Sequence, residues 1–274
     1  MEKILSFLEL QMQRPNNYGW FHLMFIFIVL LCTLYLCIKF KDANDKTFRR
    51  IALISWILMV VLELYKQFVF SYSIEQSIIK WDYQWYAFPY QLCSTPLYVL
   101  PFIAFLKDSK FRDCFVSYMS TFSLFAGVVV FLYPNDVFIK TIGVNIQTMV
   151  HHGLQIILGI FFIVYARKKF TKKYFLGGIV VFSTLIAVAM LLNYFVPMIT
   201  DETFNMFYIS PHFECTLPIL SVIYPRVPYL VFLTIYALGF VFAAFIVYYI
   251  SNFILNFQKP KAKRFAKNLK TKFD

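Results

Sequence analysis

Apolar residues along most of this chain fall into long runs broken by few polar side chains, and do not alternate as in a half-buried strand. Seven runs approach or exceed the roughly 20 residues an α-helix needs to cross a ~30 Å hydrocarbon layer: 18–39, 51–72, 86–106, 111–133, 145–166, 174–196 and 227–253. Most connections are short. Residues 73–85 carry Trp81 and Trp85, which suit the aromatic belt at a membrane interface. Residues 197–226 hold Pro211, Pro218 and Pro225 and are more hydrophobic than a free loop. A re-entrant or interfacial segment packed on the bundle is expected there, because bare loop backbone cannot face lipid. Ahead of the first run, Ile4, Leu5, Leu8 and Met12 recur at helical spacing and predict a short interfacial helix. Glu2 and Glu9 interrupt that stretch, no small-residue cleavage site follows, and a secretory signal is not expected.

The predicted fold is therefore all-α: a polytopic membrane bundle of seven transmembrane helices over 18–254. An interfacial segment, 1–17, precedes it and a basic tail, 255–274, follows. Composition agrees, with 60% hydrophobic and only 15% charged residues, against about 25% charged in soluble domains. The net charge of +12 could mean nucleic acid, but its placement points elsewhere. One set of helix ends holds Lys39, Lys41, Lys46, Arg49 and Arg50, then Lys107, Lys110 and Arg112, then Arg167, Lys168, Lys169, Lys172 and Lys173, then the tail lysines. The alternate set holds only Lys3, Arg14, Lys80, Lys140 and Arg226. The positive-inside rule places the first set in the cytoplasm, with the N-terminus outside. The tail is expected to contact anionic lipid headgroups, and no nucleic-acid partner is expected. Five cysteines, mostly within or at the ends of apolar runs, define no disulfide framework. Nothing in the sequence speaks to oligomeric state.

Polar side chains inside such spans are costly and mark candidate sites. At ~1.5 Å per residue, His22, Glu63, Lys66, Gln91, Cys93, His151, His152 and Asn193 all fall in the outer half of the membrane, ~6–14 Å from the helix ends. Hydroxyls and amides such as Gln155 fall in the inner half. Any one of these residues could simply hydrogen-bond between helices. Five helices supplying polar groups at one level read as a site between helices. Glu63 and Lys66 are three apart on a helix and can pair. Cys93 is a candidate nucleophile. Only a thiolate attacks well, so a buried thiol needs an adjacent base or cation, for which a histidine of the fifth helix, Lys66 and His22 are candidates. Adjacent histidines point ~100° apart on a helix and are poor metal ligands, so only one of His151 and His152 is expected to face the site. The stretch Pro211-His212-Phe213-Glu214-Cys215 lacks a second ligand cluster. No metal and no cofactor is expected.

Phe88-Pro89-Tyr90-Gln91-Leu92-Cys93, His151-His152-Gly153-Leu154 and Asn205-Met206 resemble the YwaF family of bacterial integral membrane proteins, from about Trp20 to the last helix. Gln91 stands where that family's Pro-x-His-x-Cys motif carries histidine. The family is similar in turn to the eukaryotic transmembrane protein 164 family, which moves acyl chains onto ether phospholipids with a Cys and a His. Leu62-Glu63-Leu64 resembles the Leu-Glu ahead of that family's Cys motif, and His152 matches its histidine. Its cysteine directly follows the proline, where this chain has Tyr90; Cys93 lies one helical turn further on.

The resemblance implies a multi-pass protein of a bacterial plasma membrane that acts on phospholipid acyl chains as a transacylase or lipid hydrolase independent of coenzyme A. Cys93 would be the nucleophile and His152, or His151, the base. Glu63 and Lys66 would tune them, and His22, Gln91, Asn193 and Asn205 would contact substrate or support the site. Two other readings are a transporter or lipid-binding protein whose buried polar groups meet a solute without acyl chemistry, and an assembly partner with no chemistry. Against transport, the sequence shows no inverted repeat and no Gly/Pro-broken helix pair in matching halves.

Overall fold

The computed structural model describes residues 2–75, 78–200 and 202–257. In chain order its helices are α1 (Glu2–Leu8), α2 (Trp20–Phe40) and α3 (Asp45–Ser71), then α4 (Pro96–Phe105), α5 (Lys110–Tyr118) and α6 (Leu124–Leu132), joined by a π-helical turn at Met119–Ser123. The remainder are α7 (Ile142–Tyr165), α8 (Lys172–Phe195), α9 (Pro197–Thr200), α10 (Leu220–Ile223) and α11 (Tyr229–Phe257). Two short antiparallel strands, β1 (Tyr72–Glu75) and β2 (Ile78–Trp81), follow α3 in the region expected to be a plain connection. The protein is an all-α polytopic membrane bundle. The distal basic tail, 258–274, lies outside the described residues.

Among the described residues, six helices are long and apolar enough to cross a membrane: α2, α3, α5 through α6, α7, α8 with α9, and α11. Polar caps extend several of them to the charged boundary. Asn44 Oδ1 accepts from Thr47 N at 2.9 Å and starts α3 six residues before its apolar run. Ser109 and Thr171 cap α5 and α8 in the same way.

The expected third span is the exception. Over 86–106 only Pro96–Phe105 is α-helical, and 3₁₀ turns at Trp85–Ala87 and Leu92–Ser94 precede it. Ten helical residues rise ~15 Å, half a hydrocarbon layer. Pro89 explains the break: it has no N–H to donate and biases Phe88 to an extended ψ of 132°. Pro96 then starts α4 at the first helical position, where its missing donor costs nothing. Trp56 Nε1 donates to Leu97 O at 2.8 Å and Gln67 Nε2 to Ala87 O at 2.7 Å, pinning the broken span to α3. Non-helical backbone at this depth is tolerated only when buried in protein or lining a polar space.

The helix α7 lies at the centre, against α2, α3, α6 and the π turn. It and the α5–α6 helix are mostly buried, whereas α2, α3, α8 and α11 turn most of their apolar side chains outward, to the face where lipid is the solvent. The approach of α6 to α7 depends on Gly127, where a Cβ would lie 2.9 Å from both Gln155 Cβ and His152 O. At the end expected to be cytoplasmic, Arg112 is only 2% exposed. It donates to Asp45 at 2.5 Å and Asp108 at 3.0 Å, and Lys169 donates to Asp108 at 2.7 Å. A cavity of about 170 Å³ opens there beside Phe48, Asp113 and Tyr165.

At the opposite end, the N-terminal segment packs as a lid on the bundle. Met12 N donates to Lys140 O, and the hydroxyls of Tyr65 and Tyr72 reach Leu8 O and Leu5 O. The described residues of 197–226 include the short helices α9 and α10 and 3₁₀ turns at Met206–Tyr208 and Tyr224–Arg226.

Candidate functional site

Cys93 sits in the 3₁₀ turn Leu92–Ser94, three residues before α4. Its carbonyl accepts two hydrogen bonds from α7, from His151 Nε2 at 2.9 Å and Gln155 Nε2 at 2.8 Å. Because a carbonyl can only accept, His151 carries its proton on Nε2. His152 donates Nδ1–H to Thr148 O at 2.7 Å, one turn back on the same helix. Each imidazole is left with one lone pair, on His151 Nδ1 and His152 Nε2, and neither has a partner among the described residues. The rings lie 5.6 Å apart, centroid to centroid. Of the two, His151 reaches outward to the Cys93 turn, while His152 folds back on its own helix.

Glu63 and Lys66 pair at 2.8 Å, as their spacing predicts. Gln67 Nε2 adds a donor to Glu63 at 2.7 Å and Gln147 Nε2 another at 3.3 Å, so the carboxylate is satisfied on both oxygens. The pair lies close enough to Cys93 and His152 for both charges to act on them. Two residues on from Cys93, Thr95 Oγ1 donates to Leu92 O at 2.6 Å and so must accept from Tyr118 Oη, also at 2.6 Å.

Other predicted residues fall elsewhere. Both nitrogens of His22 are taken by backbone: Tyr18 N donates to Nδ1 at 2.9 Å, and Nε2 donates to Phe131 O at 3.0 Å. It ties α2 to the end of α6 and offers nothing to Cys93. Gln91, Asn193 and Asn205 form a second constellation. Gln91 Nε2 donates to Asn205 O and its Oε1 accepts from Phe207 N, at 2.9 and 2.8 Å. Asn193 brackets Met206, accepting from its N at 2.6 Å and donating to its O at 2.9 Å. Asn205 in turn accepts from Ser210 N and donates to Glu214 O. These amides hold a strap over 203–214 in which Phe207 and Tyr208 both adopt positive φ, 58° and 57°, a region costly for bulky side chains. They are clamps for backbone, and their side-chain polar groups are spent on it.

Tyr90 and Cys93 do not share a helical face, because residues 89–93 are not α-helical. Tyr90 is buried toward α8, its hydroxyl on Leu185 O at 3.4 Å, while the Cys93 backbone faces α7.

Gln67, Gln147, Thr95 and Tyr118 were not singled out from sequence, and Gln155 was assigned to the inner half. A signal existed for part of this set. Gln147, His151 and Gln155 repeat every four residues and mark one polar stripe along an otherwise apolar helix. Among the described residues no cluster of three or more potential metal ligands occurs.

The sequence profile of the TMEM164 family matches residues 16–255. No curated protein and no solved structure matches the chain.

Proposed function

The chain belongs to the TMEM164 family, and from that premise we propose that it transfers or hydrolyses phospholipid acyl chains, with Cys93 as nucleophile and His152 as general base. The observation that carries this reading is the packing of the Cys93 turn on α7, beside a buried imidazole whose Nε2 lone pair is free. Cys93 also precedes the N-terminus of α4, so negative charge on sulfur or on a carbonyl oxygen beside it meets the positive end of a helix and the Lys66 ammonium.

The chemistry balances without a cofactor. His152 Nε2 takes the thiol proton as sulfur attacks the ester carbonyl; a C–S bond forms, the C–O bond to glycerol breaks, and the leaving alkoxide takes the proton back. An acceptor hydroxyl, from a lysolipid or water, then gives its proton to His152 and attacks the thioester. The C–S bond breaks and the thiolate recovers the proton. His151 and Gln155 act as positioning residues, because they hold the Cys93 carbonyl and not its sulfur.

The orientation expected from the basic residues puts this site in the outer half, away from cytosolic acyl-CoA, so a membrane phospholipid is the acyl donor. Kinship with the bacterial YwaF branch and residence in a bacterial plasma membrane complete the proposal. Mass spectrometry of phospholipids incubated with purified wild type, Cys93→Ala and His152→Ala tests it. Wild type should exchange or release acyl chains, and each variant should lose this activity while keeping its melting temperature. Folded proteins that all leave the lipids alike, or activity strictly dependent on acyl-CoA, would overturn it. Substrate-dependent proton flux unaffected by Cys93→Ala would establish transport instead.

A further inference from the structure

Phe207 and Tyr208 are consecutive bulky residues in the left-handed region, and such backbone persists only where its surroundings impose it. Part of what imposes it is the segment just ahead of Cys93. Gln91 donates to Asn205 O at 2.9 Å and accepts from Phe207 N at 2.8 Å. The Phe207 ring packs on Tyr90, 5.8 Å between centroids. On the other flank, Tyr229 Oη donates to Ile209 O at 2.7 Å. Tyr208 is therefore fixed on both sides, on one of them to residues two and three positions before the candidate nucleophile.

Met206, Phe207, Ile209 and Ser210 are at most 1% exposed, whereas Tyr208 among them is only half-buried. Its phenol lies close enough to Cys93 for a charge on the sulfur to act on it. Its hydroxyl holds no hydrogen bond among the described residues. Other hydroxyls and imidazole N–H groups around Cys93 are already engaged. Ser94 Oγ bonds the Cys93 sulfur itself. Tyr118 is spent on Thr95, and Thr95 on Leu92 O. His151 and His152 donate to Cys93 O and Thr148 O.

Attack of a thiolate on an ester puts negative charge on the carbonyl oxygen, and a fixed donor aimed at that oxygen is a large source of catalysis. A phenol is neutral near pH 7 and has one proton to donate. A donor already satisfied within the protein would have to break a bond to serve.

We propose that Tyr208 is the oxyanion donor of the Cys93 site, aimed by the strained strap that Gln91 ties down. It rests on the acyl-transfer reading and deepens it. As the C–S bond forms, the thiol proton passes to His152, and Tyr208 donates a hydrogen bond to the carbonyl oxygen while keeping its own proton.

A long-chain alkyl trifluoromethyl ketone probes this without turnover, because sulfur adds to its carbonyl and no group leaves. Fluorine NMR of the full chain in lipid nanodiscs reads the adduct, with Cys93→Ala as background. Tyr208→Phe keeps the ring and removes only the hydroxyl, so the melting temperature should hold. The variant should bind the ketone about tenfold more weakly. It should also exchange lipid acyl chains about a hundredfold more slowly in kcat, with KM little changed. Alkylation of Cys93 by iodoacetamide builds no charge on a carbonyl oxygen and should keep its rate. Ketone affinity unchanged by Tyr208→Phe overturns the assignment, as does alkylation slowed as much as exchange, which would place the hydroxyl's effect on the thiol or the fold. A wild type that forms no Cys93 adduct overturns it too, even if lipids are turned over. A wild type that forms the adduct but leaves lipids alone defeats the acyl-transfer reading, while the adduct still decides Tyr208.

Discussion

At the scale of single residues, the site depends on which atoms remain free. His151, His152 and His22 have similar burial, but their partners separate them. His22 spends both nitrogens on backbone, His151 one nitrogen on Cys93, and His152 one on its own helix. Gln155→Leu removes one of the two donors to the Cys93 carbonyl and should slow acyl exchange about tenfold, the worth of one net hydrogen bond. Melting should change little, and lipid mass spectrometry beside a thermal melt checks both. Glu63 and Lys66 call for a different test, because a buried pair is damaged most when one partner is left alone. Glu63→Ala should cost about 3–5 kcal/mol, and Glu63→Leu with Lys66→Met distinctly less. Calorimetry of the single and double variants in one detergent measures the difference. A double variant as unstable as the sum of its singles would show that the two charges act independently.

At the scale of elements, two irregular segments hold the site where regular ones could not. The break after Pro89 turns the Cys93 carbonyl sideways onto α7, where in an unbroken helix it would be consumed four residues on. The strap over 203–214 keeps two aromatic residues at positive φ, and bonds from Gln91, Asn193 and Asn205, with those from Tyr224 and Tyr229, oppose its release. Asn193→Leu unpairs the backbone N–H of buried Met206 and removes one of the two donors to its carbonyl, leaving Ile209 N. Amide exchange over 203–214 should rise by one to two orders of magnitude, as loss of ~2 kcal/mol of local stability implies. Exchange in α7 should stay as it is. Ile219 is a milder case, 76% exposed with φ 69°. Ile219→Gly should hold or raise stability by up to about 1 kcal/mol in a thermal melt, since it removes the left-handed penalty and loses little packing.

At the scale of the whole molecule, charge organises the two ends differently. Hydrogen bonding from Lys169, opposed by partial burial, holds the Asp108 carboxyl below the ordinary carboxylate range, and Arg112 adds to this. The hydrogen bond from Arg167 does the same for Asp42. A depressed carboxylate stabilises the fold above its unfolded pKa of ~3.9 and loses that contribution as pH falls through its lower folded value. Melting temperature should thus be flat down to about pH 5 and fall below about pH 4, with Asp108→Asn flattening the acid limb. The basic end is also the one expected in the cytoplasm. In intact cells a membrane-impermeant thiol reagent should label Asp136→Cys and leave Ser109→Cys untouched, and the reverse pattern would invert the topology.

The membrane character, the boundaries of most of the long helices to within a few residues and the Glu63–Lys66 pair were legible in the sequence. Each depends on local periodicity, on spacing within one helix, or on what lipid refuses to solvate. The break in the third span was only half legible. Pro89 and Pro96 stand in plain view, but the apolar run around them reads as continuous because hydropathy does not register a missing hydrogen-bond donor. What only the tertiary structure decided was partnership: that Gln155 and His151 meet at one carbonyl, that His22 is consumed by Phe131, and that Gln91 and Asn205 clamp a strap. Such choices depend on distances between residues about 60 to 120 positions apart along the chain, and these are set by helix packing, which no local pattern in the sequence encodes.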